Sequence, residues 1–138
     1  MTTTGGCQCG NIKYSYSGDP AAVAICHCIP CRRSSNSLYS TNLIVPEDKF
    51  ESSGAEPKTW SRVGDSGKKV INSFCPECGT LCFVRAEAMP GSVLVKAGTV
   101  EELDKLNGLK PAVELYKRNK FEWMPEFEGV KGFEGSMA

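Results

Sequence analysis

The sequence is short of several things. Histidine occurs once, as His27, and 16 Lys and Arg are matched by 16 Asp and Glu, leaving a formal net charge of zero. A long-range positive field that would collect phosphates is therefore missing, which argues against nucleic acid as a partner. No apolar run approaches the ~18 residues of a membrane span. The opening MTTTGGCQCG has neither the basic patch nor the apolar segment of a secretory leader. These absences predict a soluble, cytoplasmic protein with no nucleic-acid and no membrane partner; oligomeric state is left open.

What the sequence has in quantity is cysteine. Its 138 residues, 41% of them hydrophobic, fit one domain over 1–138 and can bury a core without covalent help. Eight cysteines then need another reason, because a reducing cytosol gives no cause for a disulfide scaffold. Their spacing supplies it: Cys7 and Cys9 in CQC, Cys26, Cys28 and Cys31 in CHCIPC, and Cys75, Cys78 and Cys82 in CPECGTLC. Disulfides between thiols so close in sequence are strained, whereas thiolates in short turns converge readily on a metal about 2.3 Å from each sulfur. Ligand softness points to zinc.

CPECG reads as a zinc knuckle, its glycine permitting the tight turn that aims two sulfurs at one point, and it supplies half a tetrahedron. The CQC pair supplies the other half, so Cys7, Cys9, Cys75 and Cys78 are expected to form a closed, structural zinc site joining the first strand to a distant hairpin. CHCIPC is left with Cys26, Cys28 and Cys31. Structural zinc sites nearly always have four protein ligands, while catalytic ones keep three and leave a position for water or substrate. Two zinc ions per chain are expected, the second open and catalytic through its three cysteines.

Two residues compete for that open position. In an extended stretch His27 faces away from the metal bound by its neighbours, so a supporting or core role is favoured for it. Cys82, in the apolar run LCFV, is favoured as a buried inert thiol; its rival role is an eighth ligand closing the second site.

Three thiolates on a divalent cation leave about −1 charge, a poor setting for generating hydroxide. The same site suits capture of a soft ligand, a substrate thiol held as thiolate while a carbon–sulfur bond forms or breaks. Weaker candidates for the pocket wall are Arg32 and Arg33, more readily a solvated pair, and Trp60, Phe121 and Trp123, more readily core. Tyr39 and Ser37 flank the loop.

The layout predicts a small, mainly β, mostly antiparallel domain pinned by zinc. IKYSYS alternates Ile12, Tyr14 and Tyr16 against Lys13, Ser15 and Ser17. LYSTNLIVP and VLVKAGTV read as strands, KKVINSF and LCFVRA as a hairpin tipped by the knuckle, PEDKF and EELDKL as short helical turns. A Gly-rich, acidic tail over 126–138 is expected to be loosely held beyond a metal-binding core of about 5–125.

The ordered set GGCQCGNIKY, CHCIPCRRSSN, VP and KF, FCPECGT and VLVKAGTV, continuing through LYKRNKFEW, resembles the family of the glutathione-dependent formaldehyde-activating enzyme and centromere protein V. The resemblance implies the β-tent zinc fold, the same division of cysteines between two zincs, and carbon–sulfur lyase chemistry on a small-molecule thiol or thiol adduct such as glutathione. The alternative is a non-catalytic, zinc-stabilised β-tent module that binds protein. The sequence departs from the family pattern at Cys82 and at Asn36, which stands where Gly is usual.

Overall fold

The computed structural model describes residues 1–136. Its strands are β1 (Thr2–Gly6), β2 (Ile12–Ser17), β3 (Ala22–Cys26), β4 (Ser40–Pro46), β5 (Phe50–Gly54), β6 (Lys58–Val63), β7 (Lys69–Phe74), β8 (Leu81–Ala86), β9 (Ser92–Lys96), β10 (Val113–Leu115) and β11 (Lys131–Gly132). Two short helices, α1 (Ile29–Ser35) and α2 (Leu103–Gly108), lie between them. The chain is mainly β, as expected.

The strands divide into a three-stranded sheet of order β1-β2-β5 and an eight-stranded sheet of order β11-β10-β3-β4-β9-β8-β7-β6. All pairings are antiparallel except β10 with β3 and with β11. Alternation in β2 does what its period requires: Ile12, Tyr14 and Tyr16 are buried and Lys13 and Ser17 exposed. Those three side chains meet Leu43 and Val45 from β4, Phe83 from β8 and Val93 and Val95 from β9 in one core. Central strand β4, paired on both edges, is apolar at Leu43, Ile44 and Val45 in succession, and all three are buried, so both its faces are covered. Phe50 joins the sheets, its ring 5.7 Å from that of Tyr14 and 5.0 Å, edge-on, from that of Phe83.

Hairpin β7–β8 closes at Phe74↔Leu81, so its tip is Cys75–Thr80. Cys7, Cys75 and Cys82 are part of the hydrophobic core, and the end that carries the first cysteine group is thus continuous with it. PEDKF forms one 3-10 turn, Glu47–Lys49, with Pro46 just ahead of it.

Two expectations are corrected. Trp60 and Trp123 are not core: they are 59% and 72% exposed, Trp60 because β6 is an edge strand whose outer side nothing covers. The acidic tail is not loose through residue 136. Its strand β11 lies beside β10, Phe133 N–H donates to Glu114 O and Tyr116 N–H to Gly135 O. Phe127 packs edge-on against Tyr39, and Glu126 pairs with Lys117 at 2.9 Å. Residues 137 and 138 of that tail lie outside the described residues. Among the described residues no helix is long and apolar enough to cross a membrane.

Candidate metal centres

Two turns of the same design build the first cysteine group. Cys7 N–H donates to Ile12 O and Gly10 N–H to Cys7 O; Cys75 N–H donates to Thr80 O and Gly79 N–H to Cys75 O. Each turn reverses through a glycine in the left-handed region, Gly10 at φ 81° and Gly79 at φ 77°, where a side chain is disfavoured. Backbone amides are thereby aimed at sulfur: Ile12 N–H at Cys7 Sγ (3.2 Å), and Glu77 and Cys78 N–H at Cys75 Sγ (3.4 and 3.5 Å). Thr80 ties the turns together. Its hydroxyl oxygen accepts from Gln8 N–H at 3.2 Å and lies 3.2 Å from Cys78 Sγ, and this contact holds the Cys78 thiol down to about 5.

The sulfurs of Cys7, Cys9, Cys75 and Cys78 all lie within 4.8 Å of one another. Cys9 Sγ is 3.6 Å from both Cys7 Sγ and Cys75 Sγ. A tetrahedron of thiolates about 2.3 Å from a central ion has edges of about 3.8 Å, so the spacing fits a metal; a disulfide needs about 2.05 Å. All eight cysteines are free thiols.

The second group sits where β3 ends and α1 begins. Cys26 is the last residue of β3, fixed by pairing with Ser40 on one side and Leu115 on the other. Cys28 caps α1, its sulfur accepting from Cys31 N–H at 3.3 Å, which brings Cys31 back over the cap. Pro30 suits the first turn of that helix, where its missing N–H costs nothing. At its far end Asn36 takes the left-handed conformation, φ 51° and ψ 36°, the geometry that makes Gly usual there.

The sulfurs of Cys26, Cys28 and Cys31 also lie within 4.8 Å of one another. Among the described residues no His, Cys, Asp or Glu offers this group a fourth donor within the same reach. Charge is shared unevenly among the three. The Cys26 and Cys28 thiols, hydrogen-bonded to Cys31, hold it far below the ordinary thiol range, and contact with Cys28 and then Cys31 pushes Cys26 up. Such a trio carries one negative charge easily and resists the next; a divalent cation would take the place of the remaining protons. The donor set therefore fits a soft metal.

Neither rival fills the position. Cys82 is fully buried, its sulfur 3.5 Å from Thr80 O, and the charges acting on it come from Cys7, Cys75 and Cys78 rather than from the second group. His27 turns its ring from the sulfurs to Glu114, Nε2 to Oε2 at 2.6 Å, with Tyr39 alongside at 5.7 Å between centroids.

Beside the three-cysteine group lies a cavity of about 300 Å³, bounded by Ser34, Tyr39, Ser40, Thr80, Leu81 and Lys96 among others. A more open cleft of about 450 Å³ shares Ser34 and Leu81 with it and runs out to Lys58 and Trp60. The shared wall is Ser34 of α1 and Leu81, the first residue of β8 after the knuckle. Arg32 is drawn onto Phe121, 5.7 Å from the ring centroid, and Arg33 is exposed. Thr80 and Lys96 have no signal in the sequence, since pairing across distant strands brings them to the site.

A model of the family described as glutathione-dependent formaldehyde-activating enzyme matches residues 2–119. Among curated proteins none matches the sequence significantly. The crystal structure of a Rhodobacter sphaeroides protein is similar in fold, with a TM-score of 0.60 at 15% identity, covering 78% of this chain and 96% of that one.

Proposed function

The chain belongs to the family of the glutathione-dependent formaldehyde-activating enzyme, and we propose that it is a zinc-dependent carbon–sulfur lyase acting on a small-molecule thiol or thiol adduct, glutathione first among them. One observation carries this reading: three convergent cysteine sulfurs at the end of β3, with no fourth His, Cys, Asp or Glu donor within reach among the described residues, and with Ser40, the strand partner of Cys26, lining a neighbouring cavity. Cys7, Cys9, Cys75 and Cys78 are assigned to a structural zinc and Cys26, Cys28 and Cys31 to a catalytic one.

Zinc held by the three cysteines supplies stabilisation of a substrate thiolate at neutral pH. The chain's own part is placement. Cys26 is set by two strand pairings and Cys28 and Cys31 by a helix cap, so the open side of the group has a fixed direction. Tyr39, Ser40 and Leu81 line the neighbouring cavity, and in this reading it is there that thiol and carbonyl carbon would be held together, proximity supplying much of the rate. In the synthetic direction sulfur adds to the carbonyl carbon, the C=O π pair moves to oxygen, and the thiol's proton ends on that oxygen. Cleavage is the reverse, so atoms and charge balance with no further reactant.

The test is formation and exchange of S-(hydroxymethyl)glutathione from glutathione and formaldehyde, followed by NMR with zinc-loaded protein. Acceleration over the uncatalysed reaction supports the reading; a rate equal to the uncatalysed one across several thiols removes it.

A second reading, a zinc-stabilised module that binds protein, is favoured by exposed Trp60 and Val63 on edge strand β6. Cobalt substitution separates the two. A spectrum that changes when a small thiol is added indicates an exchangeable position, whereas indifference to thiols favours the module.

A further inference from the structure

The ammonium of Lys96, at the end of β9, has no carboxylate within ion-pair distance among the described residues. Its Nζ donates instead to the neutral amide oxygen of Asn42, at 2.6 Å. Asn42 in turn spends its own N–H groups on Ser40 Oγ (3.0 Å) and Ala24 O (3.3 Å), and Ser40 is hydrogen-bonded to the Cys31 thiol. A continuous polar chain thus runs from Lys96 to the second cysteine group. Lys96 is half-buried and lines the cavity beside that group. Half-burying a cation with only a neutral acceptor is costly unless negative charge lies close by. Burial lowers the pKa of this ammonium, and the sulfurs of Cys31, Cys26 and Cys28 supply the negative charge that opposes that shift without reversing it.

We infer that Lys96 makes the three-cysteine site receptive to an anionic fourth ligand, its ammonium offsetting the charge that an incoming thiolate adds. The inference rests on the thiol chemistry proposed above and adds a residue to it. Three thiolates on a divalent cation carry −1, and a fourth brings −2. With Lys96 alongside, the two states are 0 and −1. A thiolate therefore enters a neutral environment rather than an already anionic one, while a neutral ligand gains nothing from the lysine. Metal binding behaves differently: a divalent ion would replace the two remaining protons of the trio and leave the charge at the three sulfurs at −1, so removing the lysine loosens thiolate binding and leaves metal binding nearly unchanged. A purely structural lysine would weaken both.

The test uses protein with cobalt(II) in place of zinc, read by its absorption spectrum and titrated with 2-mercaptoethanol, which acquires charge only on sulfur, and with imidazole, which stays neutral. For Lys96→Gln the expected result is a loss of roughly tenfold in thiol affinity, the scale of one unit charge about 10 Å away at an effective dielectric constant of about 20. Imidazole affinity is unchanged and cobalt affinity at the three-cysteine site is nearly unchanged. Lys96→Arg recovers most of the thiol affinity, and Lys96→Met stands in for Lys96→Gln if the latter does not fold. Unchanged thiol affinity, a parallel loss for imidazole, or release of cobalt from the variant overturns the inference. If the unmodified protein binds no thiol, the proposed function fails and this inference with it, whereas thiol binding that Lys96→Gln leaves intact overturns the inference alone.

Discussion

His27 Nε2 lies 2.6 Å from Glu114 Oε2, and both side chains are buried, at 0% and 2% exposure. A carboxylate only accepts, so Nε2 carries the proton in this pair. Lys120, itself 6% exposed, brings its ammonium to 3.5 Å from the same Oε2 and to 3.4 Å from Glu126. One carboxylate on β10 therefore joins the loop bearing the second cysteine group to the C-terminal segment. Replacing it leaves His27 Nε2–H without its acceptor and buried Lys120 with only the exposed carboxylate of Glu126. Glu114→Ala is expected to lower stability by about 3–5 kcal/mol, read from urea unfolding of the metal-loaded protein. A loss under about 1 kcal/mol would show that the pair is dispensable.

The two cysteine groups are expected to fail differently. Cys75 is buried in the main core, and its sulfur accepts two backbone amides, so Cys75→Ser should lose the four-cysteine metal and the fold together. Cys26→Ser should lose one metal and all activity while the other metal and the circular dichroism spectrum persist. Equal unfolding of both variants contradicts the division of labour.

Asn36 gives a local test. At φ 51° a residue with a Cβ is disfavoured, and Asn tolerates the position better than most. Asn36→Gly should leave stability within about 0.5 kcal/mol of the unmodified protein, and Asn36→Ala should cost about 1 kcal/mol. Thermal unfolding of the pair distinguishes them; equal midpoints would mean that the turn does not constrain this residue.

How much of this could be read from the chain depends on how far each relation reaches. The two turns carrying Cys7, Cys9, Cys75 and Cys78 were legible because their chemistry is local: a cysteine pair and a glycine within a few residues fix the geometry. So was β2, whose two-residue period is written in Ile12, Tyr14 and Tyr16. Asn36 was visible as a departure, and its φ supplies the reason. Glu114 was not, since its partner His27 is 87 residues away and nothing in VEL marks an acidic residue for burial. Lys96 and Thr80 reach the site through strand register, which no local pattern encodes. Trp60 is exposed where its hydrophobicity alone predicts core, because β6 is an edge strand, a position that no local pattern encodes. The tail was misread because Phe127 and Phe133 are spaced singly among glycines and acids, and only the partners they find, Tyr39 and β10, hold them.

Cys82 provides the last test, and its sign follows from burial. Desolvation, with the nearby sulfurs of Cys7 and Cys75 adding to it, pushes this thiol up to about 12 from the ordinary value of 9.0. The folded protein therefore prefers Cys82 protonated, and the unfolded chain gives up that proton first as pH rises. Stability from this residue is complete below about pH 9 and declines from there toward about pH 12, by about 1.4 kcal/mol at pH 10. Cys82→Ala removes the effect. It should cost about 1 kcal/mol at pH 7 for the lost buried sulfur, retain both metals, and approach or overtake the unmodified protein near pH 10. Urea unfolding of the two forms at pH 7, 9 and 10, with metal counted in each, makes the comparison. Parallel pH profiles would place Cys82 in contact with water, and loss of a metal would make it the fourth ligand that the arrangement of its sulfur argues against.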